Sequence, residues 1–232
     1  MGAMVRFDRL FARTAGTLAL AIVVAGCVPK PKLPPTVTTP IAVASPLKSF
    51  AWKQVATDAD EDRIARLGLA WQEALTDARK GFADDIRKEG VLLRPRSSLA
   101  RPAPTPGSYN CRLIKLGKAS AKSKAYESFK PFFCYVEVEG DLLTIVKQTG
   151  SQRPAGRLWE DDDSRRLIFL GSLALGDEQQ PLAYGDNPGR DMAGVLDRIG
   201  PFKWRLVIPW PQSTSKLDVF ELTPVALQPQ AQ

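Results

Sequence analysis

The chain has 232 residues, a formal charge of +7, three cysteines and no histidine. Without histidine, Ser-His-Asp and Cys-His catalysis are excluded, and so are the commonest zinc ligand sets. Residues 1–56 hold seven of the 32 basic residues and only one acidic residue, which leaves residues 57–232 close to neutral. A folded part with so little net charge argues against a nucleic-acid partner, because phosphate binding needs a basic face.

The first 27 residues have the parts of an export signal. A positive start is supplied by Arg6, Arg9 and Arg13. The apolar run 15–23 that follows is too short to span a bilayer as a permanent helix. Val24-Ala25-Gly26-Cys27 resembles the lipobox of bacterial lipoproteins, which implies removal of residues 1–26 and acylation of Cys27, for example with palmitate. The alternative is an ordinary secretory signal in which Cys27 is incidental.

Residues 27–51 are expected to form an extended tether between the lipid and the folded part. Their prolines are Pro29, Pro31, Pro34, Pro35, Pro40 and Pro46. At about 3.1 Å per residue in polyproline II geometry, a tether of about twenty residues reaches about 60 Å. Lipoproteins kept at the inner membrane commonly carry Asp after the lipidated Cys, and this chain has Val28 there. The resemblance therefore implies the outer membrane, on its periplasmic side.

One long helix is predicted from residue 57 to Gly90. Asp58 and Glu61 have the spacing of a capping box, and a bend is expected near Gly81. The apolar residues that recur at intervals of three and four are Ile64, Leu67, Trp71, Ala74, Leu75, Ala78, Phe82 and Ile86. This face is interpreted as core packing rather than a partner groove. Residues 91–107, which are rich in proline, are expected to be extended.

The rest of the chain predicts short antiparallel strands separated by turn signals. They span 109–116, 132–138, 142–147, 157–159, 166–170, 194–199, 203–208 and 217–222. The predicted fold class is α+β, mainly β, with an antiparallel barrel or curled sheet of about eight strands and one long N-terminal helix. A mixed sheet without closure is the alternative. The expected domain covers 52–225, followed by a flexible tail at 226–232.

Cys111 and Cys134 remain as an even pair once Cys27 is assigned to lipid. In an oxidising compartment, the default for such a pair is a disulfide. The alternative is two free buried thiols. A catalytic thiol is disfavoured, since the chain has no histidine to activate it.

Five segments resemble an uncharacterised family of Gram-negative bacterial lipoproteins, catalogued as a domain of unknown function. They are PGSYNCRLIKLG at 106–117, KQTGSQRPAGRLW at 147–159, IFLGSLALGDE at 168–178, YGDNPGRDMAGVLDRIGP at 184–201 and KWRLVIPWP at 203–211. With RLGLAWQEAL and LDVFELTP, the likeness covers about 52–224. It implies no activity.

The chain is also similar to the small lipocalin-like barrels of bacterial periplasmic metalloprotease inhibitors. In those barrels a cysteine of the first strand is bridged to a nearby strand, and Cys111 and Cys134 would take these places. The inhibitors insert an N-terminal trunk close to the start of the barrel. Here a long helix and a proline-rich segment intervene.

Two connections, 150–157 and 176–191, are predicted to form the functional end of the barrel. Their candidate ligand-binding residues are Ser151, Gln152, Arg153, Arg157, Asp177, Asp186, Arg190 and Asp191. Guanidinium groups with a hydroxyl and an amide can bind a carboxylate or phosphate, and the aspartates can converge with Arg190 on a ligand or calcium. The alternative is a structural network in which Asp bonds to backbone, Arg bonds to Asp, and Arg153 caps carbonyls.

Two further groups are interpreted as structural. The first is Asp161, Asp162 and Asp163, expected to form a solvated hairpin turn, because consecutive turn residues cannot all face one ion. The second is Trp159, Trp204 and Trp210, which either stack on sugar or peptide or, as is usual in strands, face a core. No cofactor and no metal are predicted.

The leading hypothesis is a lipid-anchored, non-enzymatic binding or envelope-assembly component. Its expected partners are the membrane, through Cys27, and an envelope protein or small ligand. The first alternative is a lipocalin-like protease inhibitor. The second is a carboxylate-dependent hydrolase that acts on envelope glycans.

Overall fold

The computed structural model describes residues 47–176, 178–212 and 215–226. The predicted signal, the acylation of Cys27 and the tether up to residue 46 lie outside these residues, as do Asp177 and the tail from 227. The helices are α1 (Ser49–Lys53), α2 (Asp58–Ala65), α3 (Leu67–Lys88) and a 3₁₀ helix at Gly90–Leu93. Within the described ranges, no helix is long and apolar enough to cross a membrane.

The helices are followed by strands that form one antiparallel sheet. The strands are β1 (Gly107–Lys118), β2 (Tyr126–Ser128), β3 (Phe132–Glu139), β4 (Leu142–Lys147), β5 (Gln152–Glu160), β6 (Arg166–Leu175), β7 (Asp191–Gly200), β8 (Lys203–Pro209) and β9 (Ser215–Pro224). From β3 to β9 each strand pairs with the next, and β1 closes a barrel of eight strands by pairing with both β3 and β9. The short β2 pairs with the part of β1 that extends beyond β3. The predicted fold class is confirmed, and the sheet is closed.

Alternate side chains along each strand fill the barrel. The inward residues of β8, for example, are Trp204, Leu206 and Ile208, and all three belong to the interior core. Gly156 of β5 and Gly171 of β6 are direct cross-strand partners. A Cβ added at Gly171 would lie 2.2 Å from the carbonyl oxygen of Ala155, so the strands approach too closely here for any side chain.

The predicted long helix is two helices on the outside of the barrel. The first ends at Ala65, and α3 has a non-helical residue at Phe82, next to the expected bend. The N-cap is Thr57, whose hydroxyl accepts the Asp60 N–H, and not Asp58 as the capping-box spacing predicted. Because α2 packs on β7 and α3 packs on β1 and β9, the break lets each helix follow a different part of the curved barrel surface.

The apolar helix face packs against the barrel, as predicted. The helix side of this interface contains Ala70, Trp71, Ala74 and Ala78 of α3. The barrel side contains Ile114, Leu116, Val207, Leu217 and Val219. At Gly117 the backbone has a φ of +73°, and an added Cβ would lie 2.8 Å from the Ala74 Cα. A glycine is required there, since both the left-handed conformation and the close helix exclude a side chain.

Two of the three consecutive aspartates, Asp161 and Asp162, hold α1 on the barrel. Asp161 is only 5% exposed and accepts hydrogen bonds from the indole N–H of Trp52 at 3.0 Å and from Arg166 at 2.6 Å. Asp162 accepts from the backbone and hydroxyl of Ser49. The expected solvated turn is therefore wrong for Asp161, because α1 covers it.

Cys111 of β1 and Cys134 of β3 form a disulfide inside the barrel, with their Cα atoms 6.0 Å apart. Both residues are buried among core side chains. The predicted bond is thus confirmed, and it joins the first strand of the barrel to its neighbour.

Loss of this bond should destabilise the protein. We expect the Cys111→Ala/Cys134→Ala variant to lose about 2–5 kcal/mol of unfolding free energy, because the unfolded chain is no longer constrained across the loop. Urea unfolding measures the loss. Reductant should lower the stability of the wild type toward that of the variant and leave the variant unchanged. Equal stability of the oxidised wild type and the variant would contradict the expectation.

Candidate functional site: the barrel mouth

The connections β4–β5, β6–β7 and β8–β9 lie at the same end of the barrel, because successive antiparallel strands reverse direction. A cavity of about 240 Å³ opens there, and we call it the barrel mouth. Its apolar floor consists of Leu113, Pro154, Leu173, Met192 and Phe220. Its polar lining includes Lys115, Lys147, Gln152, Arg190, Gln212 and Asp218. Packed core side chains fill the barrel beneath this floor.

A buried ion pair lies in the wall of the mouth. Lys115 and Asp218 are direct cross-strand partners on β1 and β9, with Nζ and Oδ2 3.9 Å apart. They are 9% and 5% exposed, and Asp218 also accepts a hydrogen bond from the Ser215 hydroxyl. Burial raises the pKa of Asp218, whereas the Lys115 charge and the hydroxyl act in the opposite direction. The ionised form of Asp218 therefore carries a high desolvation cost at this position.

A second lysine, Lys147, ends β4 at the mouth. Its Nζ lies 4.3 Å from the centroid of the Phe132 ring, a distance suited to a cation–π contact. Burial lowers its pKa, and the charge of Arg153 lowers it further. Among the residues described by the structure, Lys147 has no acidic partner, so its charge remains available to a ligand.

Three of the predicted site residues, Gln152, Arg190 and Asp191, line the mouth. Arg190 forms an ion pair with Glu178 at 2.6 Å. The side chain of Asp191 points outward, because its neighbour on the strand, Met192, points into the barrel. Its Oδ1 accepts a hydrogen bond from the Gly185 N–H at 3.0 Å. Its Oδ2 is buried and has no hydrogen-bond partner among the described residues.

Arg153 caps backbone carbonyl groups, which is the role that the sequence predicted as the alternative to ligand binding. Its guanidinium donates to the carbonyl oxygens of Gly150 at 2.8 Å and Gly176 at 2.6 Å, and also to that of Glu178. These bonds tie the β4–β5 connection to the β6–β7 connection. Arg153 therefore shapes the rim of the mouth without lining it.

The remaining predicted residues are not gathered at the mouth. Arg157 pairs with exposed Glu139 at 2.5 Å on the outer surface, and the Asp186 side chain accepts the N–H of Ala183. Ser151 is exposed in the turn, and Asp177 lies outside the described residues. The expected connection 150–157 is mostly strand, since β5 begins at Gln152. Strand alternation therefore sends Gln152 inward and Arg153 and Arg157 outward.

Sequence reasoning missed Lys115, Lys147 and Asp218. Each occupies an inward position of an otherwise apolar alternation, such as Cys111, Leu113 and Lys115 along β1. A charge at such a position is the signal that could have identified them, since charged side chains are rarely buried without a partner. The described part of the chain contains no group of three Asp, Glu or Cys residues placed to hold a metal ion.

The fold and the mouth together define a disulfide-bonded, eight-stranded β-barrel that is covered by external helices and open at one polar end. The chain belongs to the family described as Domain of unknown function (DUF4893), whose model matches residues 52–222. This match extends from α1 to β9 and confirms the resemblance to an uncharacterised family. Neither a curated protein nor a solved structure matches the chain.

Proposed function

We propose that the chain is a lipid-anchored protein of the outer membrane, facing the periplasm, and that its barrel is a non-enzymatic binding module. The observation that carries the proposal is the barrel mouth, where Lys147, which has no acidic partner among the described residues, lies beside an apolar floor. The barrel mouth has a size and charge that suit a carboxylate or phosphate group. Such a group can belong to the end of a polypeptide chain, to a side chain or to a small molecule. The carboxylates of Asp218 and Glu178 are each paired with a cation, which favours a structural role for them over catalysis.

The proposed anchor rests on the sequence that ends at Cys27. The described fold begins at Leu47, so about twenty residues would separate the lipid from α1. Ser49, the first residue of α1, is bonded to Asp162, so the described fold begins beside the β5–β6 turn.

Replacing Cys27 with serine should release the protein from the membrane. Three acyl chains, the usual number for such lipoproteins, contribute about 0.8 kcal/mol for each buried CH₂ group, so the native form should remain attached. Cell fractionation followed by a salt wash tests this prediction. Retention of the Cys27→Ser protein on outer-membrane vesicles would overturn the proposed anchor.

Crosslinking in intact cells tests the binding module. A photoreactive residue at Gln152 probes the mouth, and the same residue at Asp141, in the β3–β4 turn at the opposite end, is the matched control. We expect a discrete adduct from position 152 that is lost in Lys147→Gln and absent from position 141. Mass spectrometry of the adduct separates a protein partner from a small ligand. Adducts of equal yield from both ends, or none from either, would contradict a binding site at the mouth.

The inhibitor hypothesis is the second candidate. The observation that favours it is the Cys111–Cys134 bridge between the first barrel strand and its neighbour. An adduct that contains a periplasmic metalloprotease, together with slower hydrolysis by that protease when the purified chain is added, would support it. An adduct with any other molecule would leave the binding module as the better assignment.

A further inference from the structure

A second cavity, a groove of about 940 Å³, lies on the outside of the barrel. It is bordered by α2, α3, residues 94–98 and the β5–β6 turn. Six arginines line it: Arg79, Arg94, Arg96, Arg165, Arg166 and Arg205. The acidic residues of the lining are Asp163 and Asp197. We call this cavity the arginine groove.

Half of these arginines are neutralised within the protein. The ion pairs are Arg205 with Asp197, Arg166 with Asp161 and Arg165 with Asp163. Arg79, Arg94 and Arg96 are exposed, and their side chains have no ion pair or hydrogen bond to any described residue. The groove therefore keeps a positive field that these three side chains supply.

The lining changes from charged to apolar along the strands. Arg166, Asp197 and Arg205 are cross-strand neighbours on β6, β7 and β8. Two residues nearer the mouth, Val195 and Val207 form the next row. Val195 and Val207 are at most 4% exposed, and the same holds for Ile64, Trp71 and Leu75. The apolar lining that remains accessible consists of Ala65, Leu67 and Pro95. A ligand that fits both parts carries an anionic group joined to an apolar portion.

The segments 27–46 and 227–232, which flank the described residues, contain no acidic side chain. The first contains Lys30 and Lys32, and the second contains no charged residue. Charge complementarity therefore favours an occupant from outside the chain.

We propose that the arginine groove binds the headgroup of an anionic phospholipid. Arg79, Arg94 and Arg96 hold the phosphate, because guanidinium groups can donate two parallel hydrogen bonds to its oxygens. The first part of the acyl chain lies against Ala65, Leu67 and Pro95, the accessible apolar residues of the lining. The volume of the groove is near the upper end of the range for small-molecule sites and far exceeds what inorganic phosphate requires. This site is separate from the barrel mouth and does not depend on the mouth being a binding site.

Calorimetry with dihexanoyl phosphatidylglycerol, used below its micelle concentration, tests the proposal on the full chain in a Cys27→Ser background. We expect measurable binding that weakens with salt, and binding at least tenfold weaker for inorganic phosphate and for dihexanoyl phosphatidylcholine. The variant Arg79→Gln/Arg94→Gln/Arg96→Gln should lose at least tenfold in affinity. Thermal melts should show that this variant remains folded, since the three side chains have no described partner.

The matched control is Arg101→Gln/Lys122→Gln/Lys130→Gln, which removes the same charge from exposed positions that do not line the groove. It should bind phosphatidylglycerol as the parent does. Equal loss in both triple variants, or no loss in the groove variant, would overturn the site. If inorganic phosphate binds as tightly as the lipid, the lipid assignment is overturned. The same holds if a tetraglutamate peptide displaces the phosphatidylglycerol at equal concentration.

Discussion

Replacing Arg205 with methionine should lower the unfolding free energy by about 3–5 kcal/mol, because one partner of a buried ion pair is removed. Arg205 is 1% exposed and donates to both carboxylate oxygens of Asp197, at 3.0 and 2.7 Å. It also donates to the carbonyl oxygens of Leu92 and Arg94, which lie just after α3. The substitution leaves a buried carboxylate and two carbonyls without this donor.

Urea unfolding of three variants tests this prediction. Arg165→Met removes an exposed arginine that also pairs with an aspartate, and it should cost less than about 1 kcal/mol. The double variant Arg205→Met/Asp197→Leu removes both buried charges and should recover much of the lost stability. A loss in Arg205→Met no greater than that in Arg165→Met would show that the buried pair has no special role.

The Lys115→Met variant should have a stability defect that depends on pH. Burial already raises the pKa of Asp218, and removal of the Lys115 charge should raise it further. A folded-state pKa above the unfolded value, about 3.9, means that the folded state holds the proton more tightly. Ionisation of Asp218 in the folded state therefore costs no stability below about pH 4. Above that pH, the loss of unfolding free energy grows by up to about 1.4 kcal/mol per pH unit until the folded-state pKa is passed.

We expect Lys115→Met to be close to the wild type near pH 4 and about 3 kcal/mol less stable at pH 7. Urea unfolding between pH 4 and pH 8 measures this profile. Lys115→Met/Asp218→Asn lacks the ionisable group, and its stability relative to the wild type should depend less on pH than that of Lys115→Met does. If Lys115→Met instead shows the same loss at every pH, the effect is lost packing and not an unpaired carboxylate.

The barrel strands could be predicted because each has an inner and an outer face that differ in environment. Apolar side chains at every second position therefore appear in the sequence itself, as in the inward residues Trp204, Leu206 and Ile208 of β8. The missed strand, β2, has only three residues and pairs with one side of β1, so it carries no such alternation. The disulfide followed from the cysteine count and the expected compartment, without any knowledge of strand pairing.

The site was predicted only in the connections and at the strand ends next to them. Gln152 and Arg190 were recognised because they occur among glycine and polar residues, whereas Lys115 and Asp218 are hidden within apolar strands. The pairing register of β1 and β9 decides that these two charges are opposite each other. The break at Ala65 likewise depends on the curvature of the barrel that the helices cover.

The sequence by itself determined the eight strands that form the barrel and the mainly β class of the fold, because these depend on periodicity and composition over short stretches. Closure of the sheet depends on the pairing of β1 with both β3 and β9, which is a property of the tertiary structure. Tertiary structure alone decided where charge accumulates. Residues 57–232 are nearly neutral in total, yet folding brings arginines from α3, residues 94–96, the β5–β6 turn and β8 into one groove. The electrostatic field near a surface depends on distances in space, and a net charge summed along the chain contains no information about them.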